Sequence, residues 1–198
     1  VLRLVYMGQL ELFPQEAYYW NYAQHLDIGY LDHPPLTAWL IALTTAWRDN
    51  EFFVRLPAVA CWCVTAAYVA LYARDAAGPA VALRAVLLVS TLLFFFLTGW
   101  LMVPDAPLTA AWAASLYYLQ RALVDGRSRA WIGAGVAIGI GMLSKYSMIL
   151  VPAAAFSSGR THHELLLIEV GAAAAPMPPG RRVGLYHFGL KVGDNDDD

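Results

Sequence analysis

Charge is what this chain has least of. Asp, Glu, Lys and Arg make up 14% of its 198 residues and apolar types 59%, whereas an ordinary soluble domain is about 25% charged and about 45–50% apolar. With a mean hydropathy of +0.49, the shortage of polar surface points to an integral membrane protein. A formal net charge of −2 removes the basic excess on which nucleic-acid binding depends. Cysteine is nearly absent. Cys61 and Cys63 flank Trp62 in an apolar run, and neighbours two apart on a helix point to different faces, so they read as small hydrophobes and not as a disulfide. No metal-ligand set is spelled out, since one His beside one acid, Asp32-His33, is too few. Gly133, Gly135, Gly139 and Gly141 follow no strand, so they read as helix-packing positions and not as a nucleotide loop. No inverted repeat is visible. No cleavable leader is recognisable, and residues 1–7 read as the end of a span whose start is missing.

What is present is a series of long uncharged runs. Residues 56–73 lie between Arg55 and Arg74, residues 85–104 follow, and residues 106–120 form a third run that reaches residue 124 if Arg121 snorkels. Residues 130–156 form a fourth, interrupted only by Lys145. A span needs roughly 20 apolar residues, and in a bilayer the backbone must satisfy its own hydrogen bonds, so these runs predict transmembrane helices. Residues 36–47 are apolar too, but about 18 Å of helix is too short to cross. Pro34-Pro35 opens that segment, Arg48 closes it, and Trp39 and Trp47 suit an interfacial belt, so it is expected to lie in the plane of the membrane. With that assignment Glu16, Asp32 and Asp105 fall on one side. Arg74, Arg84, Arg121, Arg127 and Arg129 fall on the other, which the positive-inside rule makes cytoplasmic. The acids then face the periplasm or cell exterior. Lys145, about 22 Å into its run, joins their layer. Arg48 and Arg55 sit on the outer side against the rule.

Each polar residue in this layer carries two readings. Glu16, ahead of Ala17-Tyr18-Tyr19-Trp20, is either a general base at the rim or a helix-start acid favoured by the macrodipole. Asp105, between Pro104 and Pro107, is a helix N-cap and, compatibly, an acid presented to substrate. In Asp32-His33-Pro34-Pro35 the prolines fix an extended turn, and His33 can give a proton, meet a phosphate or cap. Lys145, followed by Tyr146, is either a phosphate-binding ammonium or a snorkelling charge. Tyr18, Tyr19, Trp20, Tyr22 and Tyr30 suit interfacial anchoring or sugar stacking.

Five words in order carry a resemblance. They are Pro14-Gln15-Glu16-Ala17-Tyr18-Tyr19-Trp20, Tyr30-Leu31-Asp32-His33-Pro34-Pro35-Leu36, Glu51-Phe52-Phe53-Val54-Arg55-Leu56-Pro57, Pro104-Asp105-Ala106-Pro107-Leu108 and Leu143-Ser144-Lys145-Tyr146. Over residues 1–156 the chain resembles the dolichyl-phosphate-mannose protein mannosyltransferase-like family of C-type membrane glycosyltransferases, whose bacterial members include the lipid A aminoarabinose transferase. The resemblance implies an all-α multi-pass bundle with its site on the outer side of the cell membrane. It implies transfer of a sugar from a polyprenyl-phosphate donor to a lipid, glycan or protein acceptor, with no nucleotide sugar at the site. By the same resemblance Glu16 and Asp105 are the catalytic acids, and Gln15, Tyr19, Asp32, His33, Lys145 and Tyr146 line the substrate. The family's usual Asp-Glu pair is here Gln15-Glu16, so Glu16 must serve if that Asp is the base. No cofactor is called for, and a divalent metal is neither required nor excluded.

Beyond residue 156 the texture changes. Residues 157–198 are expected to form a polar, mostly disordered tail, with an Ala- and Pro-rich stretch, Arg181-Arg182 and an Asp-rich end. His162-His163-Glu164 does not amount to a metal site. The family's proteins are longer, so the chain reads as a fragment or as one whose reading frame changes near Ser157. The alternatives to a glycosyltransferase are a transporter or flippase-like lipid-handling protein and an inactive fragment of the enzyme.

Overall fold

The computed structural model describes residues 2–157 together with the strands Val183–Tyr186 and Gly189–Val192. The chain divides into two units, Val1–Met148 and Ile149–Asp198. In the first unit come α1 (Leu2–Tyr6), α2 (Pro14–Gln24), α3 (Leu36–Thr45), α4 (Glu51–Ala77), α5 (Pro79–Thr91), α6 (Leu93–Thr98), α7 (Asp105–Leu123) and α8 (Ala130–Met142). A 3-10 turn, Tyr146–Ile149, leads into the second unit. There the described residues form α9 (Leu150–Ser157) and an antiparallel pair, β1 (Val183–Tyr186) and β2 (Gly189–Val192), with Val183 opposite Val192. The elements described over residues 2–157 are all helical, in keeping with the all-α reading, and the hairpin falls within residues 157–198, which were expected to form a mostly disordered tail. The His162-His163-Glu164, Arg181-Arg182 and Asp-rich segments lie outside the described residues.

Local chemistry explains where the helices begin and end. Pro14 opens α2, and the Glu16 carboxylate reaches back to accept the Phe13 N–H at 3.1 Å. Asn50 caps α4, its Oδ1 accepting the Phe53 N–H at 3.1 Å. Gly78, at φ +92, ends α4, and Pro79 opens α5 at once. Pro57 lies inside α4 and has no N–H for the Phe53 carbonyl one turn back. The Thr44 hydroxyl donates to that carbonyl instead, at 2.7 Å. One side chain thus satisfies the orphan acceptor and ties α3 to α4.

Among the described residues, α4 is the one helix long and apolar enough to cross a membrane. Its 27 residues extend about 40 Å. The apolar helices α3, α5 and α8 are shorter, at 10, 13 and 13 residues. Two of the predicted runs are broken. Residues 85–104 divide between α5 and α6 because Leu92 is extended, at φ −63 and ψ 128. Just before it, the Ser90 and Thr91 hydroxyls bond back to helix carbonyls, offering the chain an alternative to continuing. The run 130–156 stops as an α-helix at Met142, so Lys145 stands in the break after α8 and not within a helix.

Helix α7 is the packing centre, lying between α4 and α8. Its alanines 106, 110, 111, 113 and 114 are buried and let both neighbours approach. Gly141 completes the α8 contact, since a Cβ there would come within 2.5 Å of the Met148 sulfur and 3.0 Å of Ala111. Gly133 does the same against the Tyr118 ring, whereas Gly135 and Gly139 face open space. A second cluster, with Tyr19, Ile41, Val54, Ala58, Met102 and Ala106, joins α2, α3, α4 and the start of α7 at one end of the bundle.

Candidate functional site

At that end the chain builds two layers, one sealed and one open. In the sealed layer, Glu16 and Arg55 are both 0% exposed and pair at 2.7 Å. All five guanidinium N–H groups of Arg55 find acceptors. Nε meets Glu16 at 2.9 Å, Nη1 meets the Met7 and Leu10 carbonyls at 2.8 Å, and Nη2 meets the Glu11 carbonyl at 2.8 Å as well as Glu16. Glu16 also accepts the Phe13 and Met102 N–H groups, each at 3.1 Å. The Trp100 ring covers the guanidinium, its centroid 5.2 Å away. Glu16 therefore differs from the rim acid expected of it. Its oxygens are committed to fixed donors and have no open path to an acceptor hydroxyl. Arg55, which the sidedness expected from the sequence set against the positive-inside rule, has its charge met by this buried partner. A lone Arg in the first turns of an apolar span is a signal that asks for a buried carboxylate.

In the open layer, the helix α2 and the 32–35 loop present a linked set. The hydroxyls of Tyr18 and Tyr22 donate to Asp32 Oδ1 at 3.1 and 2.9 Å, and also meet each other. His33 Nδ1 lies 3.0 Å from Asp32 Oδ2 and 3.3 Å from the Tyr19 hydroxyl. Tyr30 stacks flat on Tyr22 at 4.1 Å between ring centroids. The spacing 18, 19, 22 puts these tyrosines on one side of a helix, which is why they converge on one loop. Burial acts to raise the Asp32 carboxyl, but the bonds from Tyr22, His33 and Tyr18 outweigh it and hold the group below the usual carboxylate range. Tyr22 is raised, first by its bond to Tyr18. Tyr19 is pushed up to about 12, by burial and then by the charges of Asp32, Tyr18 and Asp105. In the sequence Tyr18 and Tyr22 read only as interfacial anchors or sugar-stacking rings, and nothing there marked them as donors to Asp32.

The influence of Asp105 on Tyr19 places a second element beside the first. Asp105 opens α7, but its side chain does not cap the helix. It accepts from Lys145 Nζ at 2.9 Å, with both side chains about one-third exposed (30% and 36%). Three contacts hold this pair in place. Ser144 donates to the Pro104 carbonyl at 2.6 Å, Leu36 N–H donates to the Leu143 carbonyl at 2.9 Å, and Lys145 N–H bonds to Gly141 O at 2.9 Å. The loop after α8 is thereby stitched both to the head of α7 and to the residue following Pro34-Pro35. Asp32, His33, Tyr19, Asp105 and Lys145 share one end of the bundle. Gln15 is exposed, as is Tyr146, and neither side chain makes a hydrogen bond to this set. Among the described residues no three His, Cys, Asp or Glu side chains are grouped to hold a metal ion.

The profile described as dolichyl-phosphate-mannose-protein mannosyltransferase matches residues 32–168, more than half of the chain. The chain belongs to that family. It is also 42% identical over 48 residues to the lipid A galacturonosyltransferase RgtD of Rhizobium johnstonii. That match covers 23% of this chain and 10% of the relative, so the chain spans only a small part of the curated protein it matches. No solved structure matches.

Proposed function

We propose that this chain carries part of the transfer site of a multi-pass membrane glycosyltransferase. The enzyme takes a sugar from a polyprenyl-phosphate donor and passes it to a lipid, glycan or protein acceptor on the periplasmic or exterior side. The supporting observation is the Asp105–Lys145 pair beside the Asp32–His33–tyrosine set. In this reading α3 lies in the plane of the membrane beneath the site, and the described chain is the N-terminal part of the transferase.

The chemistry assigned to each group follows from its partners. The donor phosphate competes with Asp105 for the ammonium of Lys145, a compact cation suited to it. Once Lys145 has turned to the phosphate, Asp105 is free to accept the proton of the acceptor hydroxyl. The acceptor oxygen then bonds to the anomeric carbon while the bond from that carbon to the phosphate oxygen breaks. The electron pair leaves with the polyprenyl phosphate, whose developing charge Lys145 stabilises. Asp32, held by three donors, is a poor base and a good acceptor, and it orients sugar hydroxyls together with Tyr18 and Tyr22. Glu16 anchors the layer beneath and does not itself touch substrate, in place of the basic role the family pattern assigns it. Gln15 and Tyr146 flank the open side.

Membranes containing the chain, given a labelled polyprenyl-phosphate sugar and a lipid extract, test this. Label is expected in the lipid, glycan or protein fraction. Asp105→Asn is expected to lower transfer by roughly 10²–10⁴-fold, the range for losing a general base, and Lys145→Met to lower it comparably. Unchanged transfer in both variants, or donor crossing the bilayer with no sugar moved, would overturn the assignment.

A further inference from the structure

The end of the bundle opposite Asp105 holds a second cleft of different chemistry. Arg121 lies about 24 Å further along α7, at 1.5 Å per residue. There α4, α7 and the loop before α8 enclose an open cleft of about 960 Å³. Its lining includes Arg121, Arg127, Arg129, Tyr68, Tyr117 and Tyr118, and no carboxylate.

The fold gathers these arginines. Gly126, at φ +67, turns the chain back on itself. The Arg127 N–H then donates to the Arg121 carbonyl at 2.9 Å, so the loop lies over the end of α7. Arg121 is steadied by the Tyr117 hydroxyl and by Asp75 at 3.8 Å. Tyr68 and Tyr118 are joined at 3.1 Å, and Gly133 leaves room for the Tyr118 ring against α8. Among the described residues neither Arg127 nor Arg129 has an ion-pair partner. Asp75 is shared between Arg74 and Arg121, which leaves the rim with net positive charge.

The opposite wall is aliphatic, formed by Val64, Ala67 and Leu71 on one face of α4. A cationic rim over an aliphatic wall complements an amphiphile, with phosphate at the guanidinium groups and hydrocarbon against α4. A soluble phosphate would leave that wall uncovered. We propose that this cleft binds the headgroup of an anionic phospholipid, a function separate from sugar transfer.

Native mass spectrometry of the full chain, delipidated in neutral detergent and titrated with phosphatidylglycerol, tests the proposal. Saturable adducts are expected, with phosphatidylcholine binding at least tenfold more weakly and millimolar inorganic phosphate failing to displace the lipid. Arg127 and Arg129 are exposed, so the variant R127Q/R129Q should keep its helical circular dichroism while its affinity for phosphatidylglycerol falls about thirtyfold, roughly fivefold for each arginine. Arg48→Gln, at the other end of the bundle, should leave affinity unchanged. Equal affinity for phosphatidylcholine, displacement by inorganic phosphate, or unaltered binding in a helical R127Q/R129Q would overturn the assignment.

Discussion

Replacing Glu16 by Gln separates the anchoring role that its burial against Arg55 supports from the role of general base that the sequence offered. The side chain is fully buried and receives Arg55 through two nitrogens, with further bonds from the Phe13 and Met102 N–H groups. Gln keeps the shape but removes the charge, and it turns one acceptor oxygen into an NH2 that faces donors. The guanidinium of Arg55 is then buried without a counter-charge. Breaking one partner of such a pair costs about 3–5 kcal/mol, a large part of the roughly 5–15 kcal/mol that stabilises a domain. Arg55→Met is expected to cost at least as much, because it also orphans the Met7, Leu10 and Glu11 carbonyls. Removing both charges should cost less than the two single changes added together, and that shortfall is the coupling a double-mutant cycle reads. The assay is thermal or SDS unfolding of the purified chain in detergent, followed by circular dichroism. A Glu16→Gln protein that unfolds like the parent yet loses sugar transfer would refute the anchoring role and restore Glu16 as a reacting group.

Three further outcomes follow from other contacts of the fold. Thr44→Val should cost about 1–3 kcal/mol by leaving the Phe53 carbonyl unpaired, and in a Pro57→Ala background the cost should shrink, since an alanine there supplies its own backbone N–H; equal losses in both backgrounds, measured by the same unfolding assay, would discount the contact. Tyr19 is held neutral to about 12 against 10 for the free side chain, so its contribution is whole below pH 10 and is lost as pH rises through 12. Asp32 runs the other way: its depressed carboxyl keeps the loop contacts above the ordinary carboxylate range, and they fail as pH falls below it. Absorbance at 295 nm in Tyr19→Phe and parent proteins reads the first titration, and loop hydrogen exchange at low pH reads the second.

How much was readable in advance depended on how local each cause was. The short helix after Pro34-Pro35 follows from proline chemistry within a few residues and starts where the sequence put it, and α7 starts within a residue of its expected place, with Asp105 as its first residue and not its cap. The shared layer of Asp105 and Lys145 follows from counting spans and the length of chain leading to Lys145, but their ion pair does not. The predicted continuity of residues 85–104 and 130–156 was wrong. Hydropathy counts apolar residues and is blind to Ser and Thr side chains competing for helix carbonyls, and to a loop held by contacts with Pro104 and Leu36. Glu16 was misplaced for a related reason. A carboxylate beside tyrosines reads as exposed until Arg55, 39 residues later in the chain, is seen to close over it.

The Arg55 network also dictates an order of assembly. Its carbonyl partners lie at residues 7, 10 and 11, its carboxylate at residue 16, and that carboxylate takes a further bond from residue 102. A growing chain that has emerged only as far as α2 therefore holds Glu16 without its Arg55 partner. The first turns of α4 supply the Arg55 cation, and only the arrival of Met102 closes the last contact, so ribosome-stalled chains in which residue 102 has or has not emerged from the ribosome should differ in how readily a protease cuts the α1–α2 loop.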